Sequence, residues 1–220
     1  VLSEEQSKLL NSDENDKKLL KPWFKNSDIY KWITNEKSFE KIIYADKKLQ
    51  NLKNSNLLNH LLKYKIIIDN SSDNSPYLHR PRKINFSGPK IVVPQRNTTN
   101  KFGYNECEWY SSADVYYITI KNKSFSLKYI LALLNSKLYY FWLLHKGKNK
   151  GSLLELYQKP LSEIPVFILS EIEQKPFIEI VDKIISAKKE NFAADITDSE
   201  KQIDNMIYKL YGLTKSEIEI

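Results

Sequence analysis

Two short β-branched runs, set apart by a polar stretch and followed at once by a helical leucine pattern, constrain this chain more than any other feature. Pro89-Lys90-Ile91-Val92-Val93-Pro94 is an apolar run closed by proline at both ends, and residues 115–121 read Val-Tyr-Tyr-Ile-Thr-Ile-Lys. Branched and aromatic side chains suit a pleated backbone, and proline marks strand limits because it has no N–H for the ladder. Leu127, Ile130, Leu131, Leu134, Leu138 and Phe141 then recur at helical spacing, which predicts one amphipathic helix over residues 126–145 packed on the sheet.

The flanking sequence fits around that centre. Residues 1–40 predict a helical and irregular lead-in, with a short helix and an aromatic-anchored turn over 26–32. Residues 41–45 and 64–69 are Ile-rich runs that predict strands, with a helix over 52–63 between them and a turn cluster, Asn70-Ser71-Ser72-Asp73-Asn74-Ser75-Pro76, after them. Residues 95–114 predict a long polar loop, and Lys146-Gly147-Lys148-Asn149-Lys150-Gly151 a basic loop that ends the helix. Residues 164–168 predict a further extended piece, and residues from 175 onward predict helices. Thr197-x-x-Glu200 and Thr214-x-x-Glu217 have the spacing of capping boxes. The fold class expected is α+β: a mixed α/β domain over 1–165 and a helical C-terminal appendage over 166–220.

Charge is distributed unevenly. Residues 1–75 carry 13 basic and 11 acidic groups, residues 76–160 carry 14 and 4, and residues 161–220 carry 7 and 12. Residues 76–105 hold six Lys or Arg and no acid, including all three arginines, Arg80, Arg82 and Arg96. A one-signed polar stretch of this kind is the footprint of a polyanion partner, most often nucleic acid. The acidic helices after 175 leave a second reading open, a protein-interaction scaffold. Binding to duplex DNA with a steep salt dependence separates the two.

The single Cys107 excludes a disulfide within the chain and a multi-cysteine zinc site, which predicts a reducing, cytoplasmic compartment. The most apolar stretch, 129–144, is too short to cross a bilayer and is interrupted by Asn135, Ser136 and Lys137, so no membrane association is expected. With Val1 at the start and Met206 as the only Met, the chain is expected to be a piece of a longer protein.

Enzymatic readings find little support. The eight prolines are never adjacent, so the Asn-Pro-Pro-aromatic loop of amino methyltransferases is missing, and five scattered glycines form no phosphate cradle. Glu173-Gln174-Lys175 has the form of a nuclease metal motif, but residues 115–154 contain no acid to serve as its partner. No catalytic residue and no metal site are expected. Cys107 lies between Glu106 and Glu108, whose charges disfavour a thiolate.

Several stretches resemble, in order, landmarks of the TaqI-like C-terminal specificity domain. They are Asn26-Ser27-Asp28-Ile29-Tyr30-Lys31-Trp32, Gly88-Pro89-Lys90-Ile91-Val92-Val93-Pro94-Gln95-Arg96 and Ser112-Ala113-Asp114-Val115-Tyr116-Tyr117-Ile118. Leu131 to Leu138, Gly147 to Gly151, Leu161-Ser162-Glu163-Ile164-Pro165 and the ending Ile203-Asp204 with Tyr208 to Thr214 continue the series. The resemblance runs from about Lys21 onward. It implies a target-recognition domain from a fused restriction and modification enzyme or an adenine-specific DNA methyltransferase. It further implies that a methyltransferase domain precedes this region in the same polypeptide. S-adenosylmethionine, and magnesium if the parent also cleaves, would then belong to the parent, while this chain itself holds no cofactor.

In such a domain, double-stranded DNA is the partner, with phosphate neutralisation supplying affinity and base-edge contacts supplying specificity. Arginine is a rigid fork suited to guanine, so Arg80 and Arg82 are the leading candidates for base readout. Arg96 lies in a stretch that the resemblance makes common to domains with different targets. Backbone positioning is therefore expected of Lys83, Lys90, Gln95 and Arg96, and polar readout of Asn97, Thr98, Asn100 and Lys101. Tyr104 is a candidate for stacking on a base. Lys146, Lys148, Asn149, Lys150 and Lys159 form a second phosphate-binding candidate, because glycines let the backbone approach closely.

Overall fold

The structure, a computed structural model, describes residues 1–10, 14–44, 55–64 and 84–219. Among the described residues the strands are β1 Leu20–Phe24, β2 Trp32–Ile33, β3 Lys41–Ile43, β4 Lys90–Pro94, β5 Arg96–Asn97, β6 Gly103–Asn105, β7 Tyr110–Ser111, β8 Val115–Ile118, β9 Lys148–Lys150 and β10 Leu153–Glu155. The helices are α1 Glu4–Leu9, α2 Glu14–Leu19, α3 Asn56–Leu62, α4 Leu127–Asn135, α5 Lys137–His145, α6 Gln158–Ser162, α7 Glu171–Glu190, α8 Thr197–Leu210 and α9 Lys215–Ile218. This is an α+β fold ending in helices. Two compact units are present: Val1–Phe24, Glu36–Gly88 and Cys107–Ser111 form one, and Lys25–Asn35, Pro89–Glu106 and Ser112–Ile220 form the other.

The first unit is built on a small sheet in the order β3-β1-β7. Residues 20–22 of β1 pair antiparallel with β3, and residues 23–24 pair parallel with β7, so the partner changes immediately after Pro22. That change lets a strand with a proline in its middle serve as the central one, where the sequence predicts only a helical or irregular lead-in. Leu2, Leu19, Ile43 and Leu57 fill the small core, and Phe24 stacks on Trp109 at 4.7 Å between ring centroids. The expected helix over 52–63 is observed as α3, while the strand expected over 64–69 lies largely outside the described residues.

The second unit carries a four-stranded sheet in the order β2-β6-β4-β8, with β2 parallel to β6 and the other pairs antiparallel. All five residues of β4 are buried. Residues 95–114, expected to be a loop, contain β5, β6 and β7. Their composition hides them, yet β6 has a steric signature: a Cβ on Gly103 would lie 2.7 Å from the Ile33 carbonyl oxygen. Only glycine lets β6 approach β2 this closely.

The helix expected over 126–145 is two helices. Ser136 is extended at ψ 162°, accepts from the Tyr139 N–H and donates to the Leu133 carbonyl, so it ends α4 and caps α5. Asn135 next to it accepts from the Phe102 N–H at 3.1 Å and donates to the Phe102 carbonyl at 2.9 Å. The break thereby fixes the chain between β5 and β6.

The C-terminal segment is helical, but α7 and α8 bury Phe177, Val181, Ile184, Ile203 and Ile207 in the same cluster as Ile91, Val93 and Phe102. The compact units therefore do not divide at the expected boundary of 165/166. α7 starts at 171 rather than 175, through a capping box of Ser170 and Glu173. Of the two expected boxes, Thr214 with Glu217 forms. Thr197 with Glu200 does not: Asp195 receives the Thr197 N–H, and Glu200 bonds the Trp32 indole N–H at 2.7 Å and the Lys31 ammonium at 2.8 Å. Residues 164–168 run without a sheet partner among the described residues, held by Tyr139 and Tyr129 hydroxyls donating to the carbonyls of Pro165 and Phe167. Burial pushes the pKa of both phenols well above the usual range. Among the described residues no helix is long and apolar enough to cross a membrane.

Candidate nucleic-acid interface

A second sheet of this unit, in the order β5-β10-β9, brings together the two basic segments that lie some fifty residues apart in the sequence. Gln95 creates it. Its N–H donates to the Asp114 carbonyl and its carbonyl accepts from the Leu156 N–H, each at 2.8 Å, which hands the chain from the four-stranded sheet to β5. On the other side β9 and β10 form a hairpin in which Lys150 pairs with Leu153. Gly151 in the two-residue turn has φ +60°, a conformation that a branched side chain resists. The expected basic loop is therefore partly a strand, with all three residues of β9 exposed.

Register places one acid between two cations: Glu155 on the central strand pairs with Arg96 on one side and Lys148 on the other. Its carboxylate lies 3.2 Å from Arg96 Nη2, 3.3 Å from Arg96 Nε and 3.0 Å from Lys148 Nζ. Tyr157 completes the cluster, its hydroxyl donating to Glu155 at 3.3 Å and accepting from Arg96 Nη2 at 2.5 Å. Glu155 is 5% exposed, against 45% for Arg96 and 64% for Lys148. The Lys148 ammonium first, and then Arg96, holds the Glu155 carboxyl below the ordinary carboxylate range.

Beside the cluster lies a groove of about 440 Å³ lined by Lys146, Gly147, Lys148, Tyr157, Lys159, Pro160 and Glu163. Lys146, Lys150 and Lys159 are exposed, and the Lys159 ammonium is 3.9 Å from Glu163. Gly147 has a structural reason to be glycine, since a Cβ there would lie 2.4 Å from the Leu143 carbonyl oxygen at the end of α5.

The structure sorts the residues singled out from the sequence. Gln95, Arg96, Asn97, Lys146, Lys148, Lys150 and Lys159 gather on or beside the second sheet. Thr98 is exposed next to it, its carbonyl accepting from the Tyr140 hydroxyl at 3.3 Å. Asn97 is half-buried and spends its amide N–H groups on Thr99, which fixes the turn that follows. Asn100 does not face out: it is buried, and its amide donates at 2.8 Å to the carbonyls of both Leu134 and Ser136, which leaves no N–H for a base. Lys90 is fully buried in β4, which removes it from any phosphate contact. Tyr104 is buried with its hydroxyl on Glu106, so its ring is not a stacking platform. Lys101 is half-buried, and burial lowers its ammonium pKa. Asn149 donates to the Leu144 carbonyl at 2.7 Å and so ties the hairpin to the end of α5 rather than to a phosphate. Arg80, Arg82 and Lys83 lie outside the described residues.

Glu155 and Tyr157 are not anticipated from the sequence. A signal for Glu155 exists, because it is the lone acid between Asp114 and Glu163. Among the described residues no group of three or more His, Cys, Asp or Glu side chains is placed to hold a metal ion.

Two curated relatives, the type II methyltransferases M.HincII of Haemophilus influenzae and M.HindII of the Rd strain of that species, are each 42% identical over 82 residues. The match covers 34% of this chain and 16% of either relative, so the chain corresponds to a small part of their length. Among solved structures, the type IIL restriction-modification enzyme MmeI in complex with DNA shares the fold, with a TM-score of 0.69 at 13% identity over 100% of this chain and 32% of that one. The type IIG restriction endonuclease BpuSI matches with a TM-score of 0.50 at 12% identity over 94% of this chain and 27% of its own. The model of the TaqI-like C-terminal specificity domain matches residues 21–166, two-thirds of the chain and the region that includes both sheets of the second unit. The chain belongs to the TaqI-like C-terminal specificity domain family.

Proposed function

We propose that this chain is the reader of a larger restriction-modification enzyme, binding double-stranded DNA across the β5-β10-β9 sheet and its lysine groove. The observation that carries the reading is the convergence of Arg96, Lys146, Lys148, Lys150 and Lys159 at one sheet and the groove beside it, with the lysines exposed. Lysines on a short, glycine-bounded hairpin suit phosphates, whose contacts fix register without reading sequence. Gln95 anchors the sheet. Thr98, Asn97 and Lys101 follow it as candidates for base contact, with Arg80 and Arg82 as further readers and Lys83 as a further phosphate contact. The MmeI complex with DNA and the methyltransferase relatives support the same assignment.

The parent is then a site-specific adenine DNA methyltransferase of a bacterial cytoplasm, with its methyltransferase domain in the same polypeptide. S-adenosylmethionine, and magnesium if the parent cleaves, act there. This chain supplies the address.

Binding of the 220-residue chain to a 20-base-pair duplex of random sequence, followed from 50 to 300 mM salt, tests the reading. The expected log–log salt slope is about −3 to −5, at about 0.9 per phosphate contact. A slope near zero, or no duplex binding at the lowest salt, would refute it.

A further inference from the structure

We infer that Arg96 reads a base edge, a guanine presented in the major groove, and that Glu155 and Tyr157 are the positioning residues that aim it. The inference deepens the target-recognition reading and rests on it. It also departs from the backbone role that family resemblance assigns to Arg96, for two reasons of geometry.

The first reason is restraint. Arg96 Nε and Nη2 both face the Glu155 carboxylate, at 3.3 and 3.2 Å, and Nη2 also donates to the Tyr157 hydroxyl at 2.5 Å. The guanidinium carbon lies 5.7 Å from the Tyr157 ring centroid. One edge of the fork is thus fixed, while the side chain remains 45% exposed, which leaves the Nη1 end for a ligand. A phosphate accepts hydrogen bonds from many directions and needs no such aiming, whereas the two N–H groups of Nη1 can meet guanine O6 and N7, which lie in one plane, only when the plane of the guanidinium is set.

The second reason is charge. The Glu155 carboxylate, 5% exposed and about 3 Å from both cations, repels a phosphate brought to the same fork. A guanine edge carries only partial negative charge on O6 and N7, so it meets the guanidinium at a smaller penalty. A carboxylate beside an arginine therefore disfavours the backbone relative to the base. Lysines without such a buried carboxylate beside them, Lys146 and Lys150, are left to hold the phosphates.

The test is selection from a pool of duplexes with a randomised central segment, using the full 220-residue chain and its variants, together with affinity for a random-sequence duplex at 0.1 M salt. The wild-type chain is expected to enrich a motif containing a strongly preferred G·C pair. Arg96→Lys keeps the charge but loses the fork. It should cut the preference at one G·C pair by about 5- to 150-fold while changing affinity for the random duplex less than about twofold. Glu155→Gln should relax the same base pair yet raise affinity for the random duplex about five- to tenfold, since one more cation becomes available to phosphates. Glu155→Asp, which keeps the charge, should restore part of the preference.

If Arg96→Lys weakens enriched and random duplexes alike with the motif intact, Arg96 is a phosphate contact and the inference fails. If Glu155→Gln lowers thermal stability without altering base preference or random-duplex affinity, or fails to fold, Glu155 is structural and its positioning role is overturned, while Arg96→Lys still tests the reader. A wild-type chain that binds duplexes but enriches no motif removes the reading on which the inference depends; a wild-type motif untouched by Arg96→Lys removes the inference alone.

Discussion

Replacing Lys146, Lys150 and Lys159 together by Ala should lower the salt slope of duplex binding by about 2 to 3 units and weaken binding at 0.1 M salt by about 10²- to 10³-fold. All three are exposed on or beside the hairpin, and none is among the partners of the buried Glu155 carboxylate. The effect should be the same on every duplex, because phosphates carry no sequence. Replacement by Arg instead of Ala should preserve both slope and affinity within about threefold, since the charge count is unchanged. The measurement is a salt titration of the wild-type and the two triple variants on random and enriched duplexes. A triple-Ala variant with an unchanged slope would move the phosphate path elsewhere.

A second large effect is expected far from any charge. Asn135→Ala removes the acceptor for the Phe102 N–H and one of the two donors to its carbonyl, on a residue that is 0% exposed. The carbonyl keeps the Trp32 N–H at 2.9 Å, so one buried N–H is left unpaired and the loss should be about 1 to 3 kcal/mol. Asn100, whose amide holds the Leu134 and Ser136 carbonyls, shares the same stitch, so the double variant should cost less than the sum of the two single ones. Urea unfolding of the single and double variants measures this, and a loss below about 0.5 kcal/mol for Asn135→Ala would show that the helix break is not what fixes the chain leading from β5 into β6.

These two effects mark what could be read from residues in order and what could not. The Pro89–Pro94 strand, the 115–121 strand and the leucine spacing are local signals, and β4, β8 and the helical region followed from them. β6 and β9 are absent from any propensity scale, since Gly-Tyr-Asn and Lys-Asn-Lys are poor strand formers. Both exist because of partners distant in sequence: β6 because Gly103 fits against Ile33, and β9 because a Gly151 turn returns the chain along β10. The break at Ser136 was hidden for the opposite reason. Its neighbours continue an unbroken apolar period, and the polar pair Asn135-Ser136 reveals its purpose only when Phe102 is placed beside it.

The candidate interface was legible as charge but not as arrangement. The one-signed stretch around Arg96 and the lysine-glycine segment stood out separately, and their meeting across β10 depends on register. Asn100, Lys90 and Tyr104 carry the right chemistry for DNA and face inward, because side-chain type does not disclose orientation in a segment without periodicity. Glu155 shows the converse. A lone acid in a basic stretch invites dismissal as noise, yet it is the residue around which both cations are ordered.

The central claim is that this chain distinguishes one duplex sequence from others, and the ratio of two dissociation constants tests it most directly. One is measured on the duplex enriched by the 220-residue chain from a randomised pool, the other on a scrambled duplex of the same composition, both at 0.15 M salt. The account predicts a ratio of about 10³ or more, with each substituted position in the enriched site costing about 1 to 3 kcal/mol. A ratio near one, with strong salt-dependent binding to both, would show a general DNA-binding surface and contradict the assignment as a reader.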